Sequence, residues 1–219
     1  MSKLITRIAI FTFACLLSVA HATPPTNLAL VKKSLVEYHD SGAYAKDCAL
    51  VADQALDYLR NAHFTKNDQG KPAIVFDIDE TSLSNYPEMK RLNFGGTMEQ
   101  FHLAENKGVD AAIPSTLKLY QYAIANHIAV IFITGRPQNE AAATIRNLKA
   151  EGYTSWDKIV FRDGAYKKAS AATYKTAIRK ELTAAGYHIV ANIGDQTSDL
   201  AGGFADKVFL LPNPYYLIS

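Results

Sequence analysis

Two aspartates and a threonine follow directly on a short apolar stretch in the first half of the chain. Residues 73–76 are apolar, and Asp77, Asp79 and Thr81 come next. An apolar run of this length predicts a strand buried on both faces, as in a parallel sheet covered by helices. If the extended backbone persists, Asp77 and Asp79 project to the same side, where a divalent cation would relieve the repulsion between them. An acidic turn followed by a helix cap is the alternative that this motif alone leaves open.

Later segments place four more polar side chains and one glycine where apolar stretches end or helices begin. They are, in chain order, Thr134, Gly135, Lys175, Asp195 and Asp199. In open α/β sheets, ligands bind beyond the carboxyl ends of the strands. We therefore expect these distant segments to meet at one edge of a sheet and to enclose a cation there.

The chain between these residues alternates between predicted strands and helices. Strands are predicted at residues 73–76, 128–133, 159–162, 188–193 and 208–211, and helices at 115–126, 139–151 and 170–185. This alternation calls for a mainly parallel sheet with right-handed crossovers. Residues 27–63 predict two leading helices separated at Ser41 and Gly42, and Ser115 is the expected N-cap of its helix.

The order of these motifs resembles that of the haloacid dehalogenase-like (HAD) superfamily of phosphohydrolases. It is more closely similar to the secreted acid phosphatases of bacterial classes B and C and to the plant vegetative storage protein group. The matching phrases are Asp-Ile-Asp-Glu-Thr-Ser-Leu-Ser-Asn at 77–85, Tyr-Lys-Thr at 174–176, Gly-Asp-Gln-Thr-Ser-Asp-Leu at 194–200 and Leu-Pro-Asn-Pro at 211–214. The resemblance covers residues 27–219. It implies a three-layer, Rossmann-type α/β fold with about five core strands, helices on both faces and a small helical cap at residues 84–114.

The resemblance also implies roles for the site residues. Asp77 would be the nucleophile that forms an aspartyl-phosphate, and Asp79 would act as general acid and then as general base. Thr134, Gly135 and Lys175 would contact the phosphate. A Mg²⁺ ion would be held by Asp77, Asp79, Asp195 and Asp199, with the backbone carbonyl supplying the ligand from Asp79.

Substrate recognition is expected from aromatic residues near the opening of the site. Tyr86 and Tyr216 are the candidates for stacking on a base or an aromatic leaving group. Arg136 is expected to pair either with the phosphate or with Asp199. His102 falls in the predicted cap and is interpreted as a surface histidine, and Cys48 as a small buried residue.

The sequence thus predicts a secreted, Mg²⁺-dependent acid phosphatase that acts on small phosphate monoesters, with nucleoside monophosphates among the candidates. A non-catalytic storage or binding protein on the same scaffold and a phosphotransferase are the alternatives. A phosphate-accepting signalling domain would share the strand-end Asp, the Thr and the Lys. The apparent leader, the second aspartate and the cap insert argue against it.

The first 22 residues have the pattern of a signal peptide. Lys3 and Arg7 precede a mainly apolar run of thirteen residues, 8–20, and Ala-His-Ala at 20–22 is typical of a cleavage site. Such a run is shorter than the roughly 20 residues that span a bilayer. We expect export, cleavage after Ala22 and a mature phosphatase domain of residues 23–219, while a lipoprotein with Cys15 as its anchor is the less favoured alternative.

The composition of the predicted mature chain excludes some classes of partner. Of 23 Lys and Arg, two lie in the leader, which leaves 21 basic against 21 acidic residues. This balance argues against a protein that binds nucleic-acid polymers or membrane surfaces. Cys48 would be the only cysteine left, so an intramolecular disulfide is impossible. The sequence leaves the oligomeric state open.

Overall fold

Seven strands and eight helices make up the computed structural model, which describes residues 25–62 and 70–218. The strands are β1 (Lys71–Phe76), β2 (Leu83–Ser84), β3 (Ala111–Ala112), β4 (Ala129–Pro137), β5 (Lys158–Arg162), β6 (Tyr187–Gly194) and β7 (Lys207–Leu210). The helices are α1 (Leu28–Asp40), α2 (Ala43–Asn61), α3 (Tyr86–Arg91), α4 (Met98–Glu105), α5 (Pro114–Ala125), α6 (Ala141–Ala150), α7 (Ala171–Ala184) and α8 (Thr197–Leu200). The predicted signal peptide lies outside the described residues.

A five-stranded parallel sheet in the order β5–β4–β1–β6–β7 forms the middle layer. Alternate side chains of β1 point to opposite faces, as the two-residue period of a strand requires. Ile74 and Phe76 pack in the larger core, which includes side chains of α2 and α5. Ala73 and Val75 pack on the other face, against side chains of α7. The predicted three-layer α/β fold with about five parallel strands is therefore confirmed.

The segment between the first and second core strands carries a small helical subdomain. Helices α3 and α4 lie in it, and the two-stranded antiparallel ribbon β2–β3 closes its base. Helix α4 begins with a capping box, in which Thr97 and Gln100 each bond to the backbone of the other. These helices coincide with the predicted cap at residues 84–114, and "the cap" below means this segment.

Two local predictions differ from the structure. Helix α5 begins at Pro114 with Ile113 as its N-cap, so the prediction of Ser115 as the cap is wrong. Proline in the first turn already has a helical φ and has no N–H to satisfy, which favours a helix start at this residue. Strand β4 continues to Pro137, beyond its predicted end at residue 133, and so carries Thr134 and Gly135 at the sheet edge.

The leading helices follow the predicted pattern. Gly42 separates α1 from α2 with a left-handed φ of 83°, a conformation that glycine adopts without strain. Cys48 on α2 is completely buried, as expected. Among the described residues, none of the helices is both long and apolar enough to cross a bilayer.

Candidate active site

The carboxyl ends of three neighbouring strands bring the predicted residues together. Phe76 at the end of β1 pairs with Phe132 of β4 on one side and with Ile193 of β6 on the other. The residues that follow at this level therefore share one edge of the sheet. Asp77 comes next after β1, Thr134 lies two residues beyond Phe132, and Asp195 lies two beyond Ile193.

Three buried carboxylates and one ammonium group form the centre of this edge. Asp77, Asp195 and Asp199 each offer an oxygen, and these oxygens lie within 4.8 Å of one another. Lys175 of α7 donates from Nζ to Asp77 Oδ1 at 2.5 Å and to Asp199 Oδ1 at 2.6 Å. With all four groups ionised, the cluster keeps a net charge of −2, and this acidic cluster could bind a divalent metal ion.

Burial and mutual repulsion dominate the electrostatics of this centre. Burial raises the pKa of Asp77 well above its usual value, against the opposing charge of Lys175. Burial and the charge of Asp199 raise the pKa of Asp195 to about 6. Burial by itself would lower the pKa of Lys175, but Asp77 and Asp199 outweigh it and raise that pKa. Without a bound cation, Asp77 and Asp195 therefore tend to retain a proton, because holding like charges close together in a buried site is unfavourable.

Hydrogen bonds hold Asp195 in place from three directions. Thr81 Oγ1 donates to Oδ1 at 2.8 Å, and the side-chain amides of Gln196 and Asn213 donate to Oδ2 at 2.7 and 2.8 Å. Each of these donors favours the ionised carboxylate. The turn after β1 and the C-terminal segment are thus both tied to Asp195.

Asp199 reaches the centre only because Gly194 has no side chain. A Cβ atom on Gly194 would lie 2.5 Å from Asp199 Cβ and 2.6 Å from Asp199 Oδ2. Asp199 Oδ2 accepts a hydrogen bond from the backbone N–H of Gln196 at 2.9 Å. A carboxylate of the chain itself therefore occupies the space beside this glycine.

Asp79 and Arg136 form a second charged unit beside the first. Arg136 Nη2 donates to Asp79 Oδ1 at 2.7 Å, and Arg136 Nε contacts both Asp79 oxygens at 3.1 and 3.2 Å. Asn85 also donates to Asp79 Oδ1, at 2.6 Å. Burial would raise the pKa of Asp79, but the Arg136 charge and these hydrogen bonds lower it overall.

Arg136 does not pair with Asp199, one of its two expected partners. Its side chain is buried at the wall of the cavity and binds Asp79, Asp110 at 3.3 Å and the Thr144 hydroxyl at 3.2 Å. The sequence interpretation paired it with the phosphate or with Asp199. Asp110 arrives from the far end of the cap, and no local spacing indicates that it will meet an arginine 26 residues later.

Thr134 and Gly135 lie side by side at the same edge. Thr134 is fully buried, and its Oγ1 accepts a hydrogen bond from the backbone N–H of Arg136 at 3.0 Å. The hydroxyl proton is left to be donated to another acceptor. Gly135 lines the cavity above the acids, and a Cβ there would meet nothing within 4 Å.

A cavity of about 360 Å³ opens above these residues. Asp77, Asp79 and Asp195 line its polar part, and the cap and the C-terminal segment supply its apolar part. The apolar lining consists mainly of Met89, Met98, Phe101, Leu217 and Ile218. The acids thus lie under a largely apolar chamber that suits a small molecule.

The two aromatic candidates for substrate binding differ in their placement. Tyr216 lines the cavity, and its hydroxyl donates to Glu80 Oε2 at 2.9 Å. Tyr86 does not belong to the described cavity lining, so its predicted role at the opening is not supported. It is only 5% exposed, stacks on His39 with ring centroids 3.4 Å apart and donates to Asp40 Oδ1 at 2.9 Å. Tyr86 therefore anchors the cap to α1.

Several residues of the site went unnoticed in the sequence. Glu80 is fully buried and accepts hydrogen bonds from the backbone N–H of Asn85 and from the Tyr216 hydroxyl. Burial raises the pKa of Glu80 well above its usual value, and repulsion from Asp79 and Asp195 adds to this effect. Asn85 and Asn213 lie within phrases that carry the family resemblance, so those phrases could have indicated them. Glu80 follows Asp79 directly, but its inward position depends on its left-handed φ of 51°, which sequence does not show.

The fold and the site define a class, namely the HAD-type hydrolases with acids at the edge of a parallel sheet and a cap above them. More specifically, the chain belongs to the HAD superfamily, subfamily IIIB (acid phosphatase), whose family model matches residues 14–219. The predicted family is thereby confirmed, and so is the predicted enzyme class of phosphomonoesterase.

Individual proteins agree with this assignment. The chain is 38% identical over 191 residues to the stem 28 kDa glycoprotein of Glycine max, which covers 84% of this chain and 73% of that protein. It is 34% identical over 188 residues to acid phosphatase 1 of Solanum lycopersicum, with 83% and 72% covered. The class C acid phosphatase from Bacillus anthracis has the same fold, with a TM-score of 0.71, 24% identity and 86% of each chain covered.

Proposed function

We propose that this acid phosphatase is an exported, Mg²⁺-dependent enzyme that hydrolyses small phosphate monoesters through an aspartyl-phosphate on Asp77. The observation that carries the proposal is the cluster of Asp77, Asp195, Asp199 and Lys175 at the floor of the cavity. Phosphate monoesters resist attack because their oxygens repel a nucleophile, so a site must offset that charge and hold the attacking atom in line.

Asp77 has the position that a nucleophile requires. Lys175 fixes its Oδ1, and Ser82 Oγ donates to its backbone carbonyl at 2.7 Å, so the residue is held at both ends. In the first step a carboxylate oxygen attacks phosphorus and the bond to the leaving oxygen breaks. Lys175, the Thr134 hydroxyl and the backbone at Gly135 would contact the phosphoryl oxygens during this transfer.

Asp79 would transfer the protons. It would donate a proton to the leaving oxygen in the first step and accept one from the attacking water in the second. Because Arg136 and Asn85 lower its pKa, only a small fraction of Asp79 carries a proton near neutral pH. The first step should therefore be favoured by acidic conditions, which supports an acidic optimum.

The metal site has the donor chemistry of magnesium. Asp77, Asp195 and Asp199 would hold the ion together with the backbone carbonyl of Asp79, and all of these donors are hard oxygens. When bound, Mg²⁺ supplies positive charge as a Lewis acid and orients the phosphate. The net charge of −2 on the four central side chains matches a divalent cation.

The cavity supports a small substrate with an apolar or aromatic leaving group. Met98 and Phe101 from the cap and Tyr216 from the C-terminal segment line its upper part. Planar rings pack well against thioether and aromatic side chains, so nucleoside monophosphates belong among the candidate substrates. Because its hydroxyl is engaged by Glu80, Tyr216 would contribute its ring face rather than a hydrogen bond.

A non-catalytic storage protein would not need the assembled site. All of the residues assigned to chemistry are present, and they lie at one sheet edge, which disfavours that alternative. Phosphotransfer to an alcohol instead of water would use the same first step.

The proposal of export rests on residues 1–22. The N-terminal sequence of the protein purified from its native host tests it, because an intact leader would contradict export.

The decisive experiment measures hydrolysis of p-nitrophenyl phosphate by the wild type, Asp77→Asn and Asp57→Asn. Asp57 is an exposed residue of α2 and provides the matched control. We expect turnover only in the wild type and the control, at acidic pH, with Mg²⁺ and not with EDTA. Full activity of a correctly folded Asp77→Asn protein would disprove the assigned nucleophile, and EDTA-resistant turnover would disprove the metal requirement.

A further inference from the structure

A histidine and two glutamates form a second cluster where the cap meets the core. His102 and Glu105 are three residues apart on α4 and so share one helix face. Glu140 ends the short 3₁₀ turn Gln138–Glu140 that follows β4. His102 Nδ1 lies 2.7 Å from Glu140 Oε1 and 3.3 Å from Glu105 Oε2. One ligand atom from each residue lies within 4.8 Å of the other two.

Glu140 is the unusual member of this cluster. Its side chain is only 1% exposed, and its Oε2 has no hydrogen-bond partner among the described residues. A buried carboxylate oxygen without a donor is destabilising, since it has lost its water and gained nothing in return. The nearby carboxylate of Glu105 is also an acceptor when ionised.

We propose that His102, Glu105 and Glu140 form a second metal site, which takes a divalent cation of the Zn²⁺ type. One imidazole nitrogen and two carboxylate oxygens are a ligand set that zinc uses in proteins, whereas magnesium prefers oxygen ligands alone. A divalent cation would balance the two carboxylates when the imidazole is neutral. It would also give the unpaired Oε2 of Glu140 a partner.

The consequence of such a site is mechanical. His102 and Glu105 belong to the cap, and Glu140 belongs to the core, so the cation would join the two parts. Helix α4 also carries Met98 and Phe101, which line the cavity above the acids. Binding would therefore hold one wall of the substrate chamber in position. The inference does not depend on the proposed phosphatase chemistry, because none of the three ligands belongs to the catalytic cluster.

Zn²⁺ binding to an Asp195→Asn protein tests the proposal without interference from the catalytic cluster. Isothermal titration calorimetry with Zn²⁺ in excess Mg²⁺ should show one equivalent of Zn²⁺ bound. A second substitution in the Asp195→Asn protein, either His102→Gln or Glu140→Gln, should weaken Zn²⁺ binding by at least about tenfold. Even changes to residues that only support the ligands weaken metal sites by about 10- to 100-fold. The matched controls are Glu99→Gln on the exposed face of α4 and His127→Gln in an exposed turn, which should leave binding unchanged.

Thermal unfolding supplies the second measurement. Zn²⁺ should raise the melting temperature of the Asp195→Asn protein and of both controls, and should raise that of the two ligand variants by a smaller amount. His102 is 38% exposed, so His102→Gln should fold even if Glu140→Gln does not. Absence of Zn²⁺ binding to the Asp195→Asn protein, or equal binding by the His102→Gln variant, would overturn the proposal. Neither result would affect the assignment of Asp77.

Discussion

Replacing Lys175 with methionine tests the electrostatic account of the site most directly. The Lys175 side chain is buried, and its Nζ is shared between Asp77 Oδ1 and Asp199 Oδ1 at 2.5 and 2.6 Å. Methionine keeps an unbranched apolar chain of similar length and removes the charge. The substitution therefore leaves Asp77, Asp195 and Asp199 as three buried carboxylates without a cation.

The expected loss of stability depends on the metal. Removing one partner of a buried ion pair typically costs about 3–5 kcal/mol, because the remaining charge is left uncompensated. We expect a loss of this size in EDTA. With Mg²⁺ the loss should be less than about half as large, because the bound cation compensates the same carboxylates. Mg²⁺ should also bind more tightly, since the substitution removes a neighbouring positive charge.

Urea unfolding of the wild type, Lys175→Met and Lys180→Met, each in EDTA and in Mg²⁺, measures these differences. Lys180 lies on the exposed side of the same helix and is the matched control, with an expected change under about 0.5 kcal/mol. Turnover by Lys175→Met should fall about 10²- to 10³-fold, as for the loss of one preorganised donor. An equal loss of stability in both buffers, or weaker Mg²⁺ binding by Lys175→Met, would refute the reasoning.

Three further predictions concern Gly194, Asp110 and Asp195. Gly194→Ala should destabilise the protein by about 1–3 kcal/mol in urea unfolding, since the new Cβ would lie 2.5 Å from Asp199 Cβ. The control Gly95→Ala should leave the stability nearly unchanged. Equal losses of stability in the two variants would contradict the close approach of Asp199 to Gly194. Asp110 has a pKa raised to about 6 by burial, so the stability that its protonated form contributes is lost as pH rises from about 4 through about 6. The free energy of unfolding should therefore fall by about 1–3 kcal/mol less across this pH range in Asp110→Asn than in the wild type. If the two proteins show the same dependence of stability on pH, the raised pKa of Asp110 is disproved. Asp195→Asn should abolish the Mg²⁺-dependent rise in melting temperature, and a retained rise would place the Mg²⁺ elsewhere.

Much of the fold could be predicted because its signals are local. Short apolar runs ending in polar residues indicated the buried parallel strands, and the helices between them followed from spacing and from glycines at their ends. The boundaries moved where backbone chemistry decided them, as at Pro114, which replaced the expected cap at Ser115. The gathering of Asp77, Asp195 and Asp199 also followed from local order, since parallel strands place their carboxyl ends at one edge.

Pairings between distant side chains could not be predicted in the same way. Arg136 was expected to pair with the phosphate or with Asp199, and it binds Asp79 and Asp110. Tyr86 was expected over the cavity and instead stacks on the leading helices. In both cases the cap determines the partner, and nothing in the local spacing shows how the cap folds back on the core.

By itself, then, the sequence determined which groups were available and at which strand ends they would appear, because strand burial and side-chain alternation are set within a few residues. Only the tertiary structure decided that Arg136 pairs with Asp79 and Asp110 and that His102 of the cap meets Glu140 of the core. Such choices depend on the direction of a side chain and on the packing of segments far apart in the chain, and the free energy of these contacts exists only once the segments have come together.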